Sequence, residues 1–222
     1  MRVEDLGNTA YAEAWRYQQQ LFDNALQQKQ IGEPVQNTLL LCEHPHTITL
    51  GRNAHENNLL FNETFLSERG VALFRIDRGG DVTYHGPGQV VGYPIFDLET
   101  YNIGLKQYIY LLEEAIIRLL ALYNIAATRL ERAAGVWLDV DNPARTRKIA
   151  AIGVRCSRFV TMHGFALNVN TDLSYFSLIN PCGFVDKGVT SMQQELGREV
   201  DEEAVKDKLK TLFDEIFVQS TF

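Results

Sequence analysis

Apolar residues along this chain change period several times, and each change predicts a change of element. Between 9 and 30 they recur at helical spacing. Tyr11, Ala14, Trp15, Leu21, Phe22, Ala25 and Leu26 fall close to one face, which predicts an amphipathic helix. Asn8 or Thr9 offers an N-cap oxygen, and Gly32 with Pro34 ends the run. The pattern then tightens to that of strands. Thr38-Leu-Leu-Leu-Cys42 reads as a buried strand and Thr47-Ile-Thr-Leu50 as another, beyond the His44-Pro45 break. Strands are also predicted at 72–76, 81–85 and 89–96, with Gly86-Pro87-Gly88 as a turn that makes the last two a hairpin.

Helical spacing returns at 103–123, where Leu105, Tyr108, Ile109, Leu112, Ala115, Ile116, Leu119, Leu120 and Tyr123 form a continuous stripe. Strands follow at 136–140, 148–155 and 159–169, the last two a hairpin across Cys156-Ser157-Arg158. Helices at 191–196 and 201–217 close the chain, with Asp201 as candidate cap and Glu202 and Glu203 favouring the helix dipole. Strands joined by short turns, without strict β-α-β alternation, predict an α+β fold: a mixed, mostly antiparallel sheet flanked by helices. No repeat or linker-like stretch interrupts the pattern, so residues 1–222 are expected to form one domain.

Composition narrows the function classes. A chain of 222 residues buries roughly 70% of its unfolded surface and needs no disulfide or metal staple. The net charge of −7 gives no general attraction for a phosphate backbone, so no nucleic-acid partner is expected. No run reaches the roughly 20 apolar residues of a membrane span, and Glu4 and Asp5 spoil any secretory leader, so no membrane partner is expected. Cys42, Cys156 and Cys182 are an odd, sparse set that suits a reducing compartment, the cytoplasm. With no Cys-x-x-Cys and with His44 and His46 only two apart, no metal site is expected.

Candidate chemistry gathers in a few blocks. Arg78-Gly-Gly-Asp-Val-Thr-Tyr-His-Gly-Pro-Gly-Gln89 holds four glycines in twelve residues. Gly92 falls one residue late for a dinucleotide fingerprint, and a strand follows where a helix should. A double turn explains the glycines as well as a ligand wall does, although Arg78, Asp81 and His85 lean toward the wall. His85 and His163 each sit beside a glycine at a strand end, where a lone histidine is more often structural. Lys148 enters an apolar strand, as a solvated strand end or as a partly desolvated base or cation. Cys182 differs from the other cysteines by lying in a Pro-Cys-Gly turn. There a nearby cation would favour the thiolate nucleophile. Residues alone reach a candidate nucleophile, since spacing does not bring Lys148 to Cys182.

These blocks resemble the lipoyl(octanoyl) transferase family, within the biotin/lipoate protein ligase superfamily. The resemblance is carried by 78–89 with Gly92-Tyr-Pro-Ile-Phe-Asp-Leu98, by Arg147-Lys-Ile-Ala-Ala-Ile-Gly-Val-Arg155, by His163-Gly-Phe-Ala-Leu-Asn168 and by Asn180-Pro-Cys-Gly183, in the family's order. It implies a biotin/lipoate ligase-like catalytic domain and a cysteine–lysine dyad. Cys182 would form the acyl thioester and Lys148 would lower its pKa. Arg78, Gly79, Gly80, Asp81, Val82, Thr83, Tyr84 and His85, with Ala151, Ile152, Gly153, Gly164, Phe165 and Ala166, would bind substrate. His163 would support them. The implied reaction moves octanoyl from octanoyl-acyl carrier protein to the lysine of apo lipoyl domains of 2-oxoacid dehydrogenase and glycine cleavage proteins, with no cofactor. An ATP-dependent lipoate–protein ligase of the same fold is the alternative. The stretch 139–147 is longer than usual before the motif lysine. There Arg145, Arg147, Lys148 and Arg155 are a candidate basic patch for an acidic carrier, or simply a solvated loop.

Overall fold

The computed structural model describes residues 1–180 and 188–219. Two sheets organise it. The larger runs β1 (Arg2–Asn8), β2 (Thr38–Glu43), β6 (Gln89–Ile95), β10 (Val160–Asn168), β9 (Arg147–Ser157), β8 (Ala133–Leu138) and β7 (Thr128–Leu130), with β11 (Gly188–Val189) added to the start of β9. The smaller is β4 (Ala72–Arg75), β3 (Thr47–Leu50) and β5 (Val82–His85). The β1–β2, β3–β4 and β9–β11 pairs are parallel, and the other ladders are antiparallel. The α+β arrangement and its flanking helices are therefore as expected, with a second sheet in addition.

Helix α1 (Tyr11–Ile31) covers one face of the large sheet, burying Tyr11, Ala14, Gln18, Phe22 and Ala25, which recur every three or four residues. Against them pack Leu40, Val91, Tyr93 and Met162. Its start is capped by no side chain. Ala10 holds the cap position while Thr9 donates its hydroxyl to Leu6 O, so neither Asn8 nor Thr9 caps it. Gly32 ends it in the left-handed region at φ 77°, as the sequence predicts. The other face carries α3 (Leu105–Ala121) and α5 (Glu202–Gln219), whose Tyr108, Leu112, Ile116, Phe213 and Phe217 meet Phe96, Phe165 and Leu167. Asp201 does cap α5, accepting from the Glu203 and Ala204 amides. Short α2 (Glu63–Glu68) and α4 (Met192–Leu196) complete the helices, and α2 packs its Leu66 into a third core with Ile48, Tyr84 and Leu178.

The expected β5–β6 hairpin is corrected. Strands β5 and β6 do not form a hairpin. Gly86–Gly88 instead carries the chain from the small sheet to the large one. Glu43 Oε2 accepts the Gly88 amide at 2.9 Å, and Gly88 O accepts from Val169, Asn170 and Thr171. Long-range partners hold this turn, which is why neighbouring sequence misleads. Of the four cations left open as a patch or a solvated loop near β9, the three arginines are ion-paired. Arg147 is bidentate to Glu195 at 2.7 Å and bonded to Asp139, Arg145 also pairs with Asp139, and Arg155 pairs with Asp77. The 139–147 stretch closes on itself through Thr146, whose hydroxyl bonds to Asp139 O and Asn142 O.

Candidate active site

A cavity of about 360 Å³ lies between the two sheets. The loop before β5 and β5 itself form one wall, and the start of β8 forms the other. The middles of β9 and β10 make the floor, and Tyr11, Gln89, Tyr93 and Phe176 close the remainder. The loop can press onto β9 because both sides are glycine. The Gly79 amide donates to Val154 O at 2.9 Å, and a Cβ on Gly153 would stand 2.8 Å from Gly79 O. Arg78, 8% exposed, fastens the same loop to β3, donating to Thr49 O and Oγ1 at 2.9 Å and to Gly79 O.

The cavity gathers most of the residues that the sequence singles out. Arg78, Gly80, Asp81, Val82, Thr83, His85, Lys148, Ala151, Ile152, Gly153, His163, Gly164, Phe165 and Ala166 line it. Gly79 and Tyr84 stand behind it. Gly79 serves the β9 contact. Strand alternation turns Tyr84 to the opposite face, where its hydroxyl meets His46 Nδ1 at 2.7 Å and its ring stacks on Tyr175. Cys182 lies outside the described residues. The residues on either side of its block are anchored at the cavity. Asn180 N donates to Asn58 O, and Asn58 Nδ2 bonds to Asp81. On the other side Gly188 and Val189 pair with Arg147 and Lys148 and line the wall.

Lys148 stands opposite Trp137 in the β8–β9 register. Its Nζ is 4.5 Å from the Trp137 ring centroid and 3.5 Å from Ala134 O. An indole face attracts an ammonium through its ring quadrupole.

The two motif histidines are both buried, and burial lowers the pKa of each. His163 adopts φ 61°, a left-handed conformation rare inside a strand. Met162 packs toward α1, and regular alternation would turn His163 to the other face. The positive φ instead brings its Nε2 within 2.9 Å of Asp77, which also pairs with Arg155 above Phe22 of α1. Burial pushes the imidazole pKa down despite the Asp77 contact, and that contact in turn holds the Asp77 carboxyl below its usual range. The Nδ1 of His163 has no hydrogen-bond partner among the described residues. His85 is pushed down to about 3, by burial first and then by nearby His44. Its Nδ1 lies 2.9 Å from Gln89 Oε1.

Tyr11, Gln89, Tyr93, Trp137 and Asn168 are cavity residues that sequence reasoning missed. For Gln89 and Asn168 a signal existed: each is a polar residue at the end of a motif block, at a fully buried strand position. Among the described residues no group of three or more metal-binding side chains occurs, and no helix is long and apolar enough to cross a membrane.

Comparison with known proteins adds the following. The family model described as the lipoyl protein ligase A/B catalytic domain matches residues 10–214. A protein of Parabacteroides distasonis named octanoyltransferase is 59% identical over 216 residues, 97% of this chain and 98% of that one. Among solved structures, a bipartite lipoate protein ligase from Thermoplasma acidophilum, studied with its E2 lipoyl domain, superposes with a TM-score of 0.70 at 18% identity, covering 97% of this chain and 82% of that one. The biotin protein ligase of Aquifex aeolicus gives 0.56 at 14% identity, covering 98% and 71%. At such identities these two structures establish the fold.

Proposed function

The chain belongs to the lipoyl protein ligase A/B catalytic-domain family, and from that premise we propose that it transfers an octanoyl group to the lysine of apo lipoyl domains. One observation carries the reading: a relative 59% identical along essentially the whole of both chains is named for octanoyl transfer. The cavity supports it, offering a floor of Ala151, Ile152, Gly153, Phe165 and Ala166 to an alkyl chain, with Lys148 at one end. We take residues 1–222 as one catalytic unit.

In the proposed mechanism the donor is octanoyl-acyl carrier protein and Cys182 is the nucleophile. The Lys148 ammonium favours the Cys182 thiolate. The thiolate attacks the donor carbonyl, the carrier thiol leaves, and the octanoyl group rests on Cys182 as a thioester. The amine of a lipoyl-domain lysine then attacks that carbonyl, and an amide forms as the C–S bond breaks. The first step exchanges one thioester for another and the second runs downhill to an amide, so neither requires ATP. Acceptors would be the lipoyl domains of 2-oxoacid dehydrogenases and of the glycine cleavage system.

The test is intact-protein mass spectrometry after mixing with octanoyl-carrier protein without ATP. The wild type should gain a hydroxylamine-labile octanoyl group, lose it to an apo lipoyl domain, and be silent as Cys182→Ala. Transfer that needs ATP and free octanoate, and that survives in Cys182→Ala, would assign the chain to ligase chemistry instead.

A further inference from the structure

The hydrogen bonds around His85 leave only one arrangement of protons. Gln89 Nε2 sits 3.2 Å from Tyr84 O and 2.9 Å from Asn168 Oδ1. A backbone carbonyl can only accept, so that end of Gln89 is its NH₂ and the end facing His85 is its oxygen. Asn168 is oriented in the same way, since its Nδ2 donates to Thr190 O at 2.9 Å. His85 Nδ1 therefore carries the proton and donates it to Gln89 Oε1. Its Nε2 is left with a lone pair and makes no hydrogen bond among the described residues. His85 is 6% exposed and lines the cavity, with its ring stacked on Tyr11 at 5.8 Å and set edge-on to His44 at 5.9 Å. An unpartnered acceptor that opens onto the cavity is a place for a ligand N–H.

The network behind His85 ties it to Lys148. Gln89 and Asn168 are partners in the β6–β10 register. Thr190 follows Val189, the partner of Lys148, and donates its own amide to Lys148 O at 2.9 Å. One chain of hydrogen bonds thus runs from His85 through Gln89, Asn168 and Thr190 to the Lys148 backbone. His85 and Lys148 both line the cavity, and this chain of hydrogen bonds ties them together. The alkyl floor carries no hydrogen, in the acyl chain it would hold, that an imidazole nitrogen could accept. The attacking nitrogen of the acceptor lysine brings such a hydrogen.

We propose that His85 orients the acceptor amine: its Nε2 accepts one N–H of the incoming lysine and so turns the nitrogen lone pair toward the acyl thioester it attacks. The inference rests on octanoyl transfer to lysine as proposed above. In the step the N–C bond forms as the C–S bond breaks, and the proton shed by nitrogen ends on the departing sulfur. His85 stays neutral throughout, in keeping with an imidazole that burial holds far below neutrality. Gln89 and Asn168 are then positioning residues that fix its tautomer.

The two half-reactions separate this role from a structural one. Acyl-enzyme formation from octanoyl-carrier protein and discharge of preformed acyl-enzyme to an apo lipoyl domain are timed by intact mass. The variants are His85→Phe, a flat ring with no acceptor, and His85→Asn, which keeps an acceptor oxygen. Discharge by His85→Phe should fall tenfold or more while acylation falls less than threefold. His85→Asn should recover part of the loss, and the KM for the lipoyl domain should hold. Proportional loss in both steps, or undiminished discharge, overturns the proposal. Should His85→Phe fail to fold, Gln89→Met removes the partner of Nδ1–H and is expected to show the same selective loss. A wild type that never acylates fails the proposed function itself, a result visible before any variant is made.

Discussion

Gly153 and Gly164 belong to the motif blocks that suggest substrate contact, and the packing around them explains much of why they are glycine. A Cβ on Gly164 would lie 2.2 Å from Gly92 O and 2.7 Å from Pro94 Cδ, inside the β6–β10 contact, where backbone cannot yield. A Cβ on Gly153 would lie 2.8 Å from Gly79 O and 3.0 Å from Arg78 Cδ, in a loop that can shift. The two substitutions should therefore differ. Gly153→Ala is expected to fold with a loss of about 1–3 kcal/mol by urea titration, and with a raised KM for the octanoyl donor as the Arg78 loop lifts. Gly164→Ala should yield little folded protein. Equal stability losses in the two would show that the β9 edge is as rigid as the sheet interior. His163 makes the same point in another form: a strained φ of 61° persists because Asp77 and Gln18 hold the ring and the amide on the α1 side.

Elements defined by local period were legible in the sequence, and those defined by distant partners were not. Helices α1, α3 and α5 announce themselves by stripes. The β9–β10 hairpin does so by two apolar runs on either side of a tight turn. Strand β1 was missed because Glu4 and Asp5 interrupt any alternation; it is an edge strand, recruited by parallel pairing with β2. The sheet change at Gly86–Gly88 was missed because Glu43, Asn170 and Thr171 decide it from 45 to 83 positions away along the chain. In the site, the glycine and histidine blocks were readable. Tyr11 and Tyr93 were not, because each sits in a pattern that core packing explains equally well. The hairpin turn itself is imperfect. Arg158 and Phe159 both lie at positive φ, 49° and 64°, where Asn-Gly is favoured. Arg158→Asn with Phe159→Gly should raise stability by about 1 kcal/mol, after a small loss of the Lys29 contact with the Phe159 ring. A rise in melting temperature at unchanged transfer rate would confirm it, and a fall would mean that Phe159 packing outweighs the turn strain.

Across the whole molecule, His44, His85 and His163 form a shared acid liability. Burial lowers all three below the ordinary imidazole value, with His85 at about 3. A histidine depressed on folding is neutral in both states above its unfolded value of about 6.5. As pH falls below that value the unfolded chain binds the proton and the folded protein does not, so stability is lost downward from about 6.5 until the folded pKa is reached. For His85 alone the loss between pH 6.5 and 5 is about 2 kcal/mol. Asp77 and Glu195, whose pKa values are depressed by their partners, lose their contributions only further down, in the carboxylate range. Glu113 and Glu202, raised by burial, oppose the trend. The urea midpoint should therefore drop between pH 7 and 5, and drop less in His85→Asn. An equal drop in both proteins would mean that folded His85 takes up the proton as readily as the unfolded chain does. Its Nε2 would then take up a proton as pH falls through about 6.5, and discharge to the acceptor amine should fail over that same range, so this slope bears on mechanism as directly as on stability.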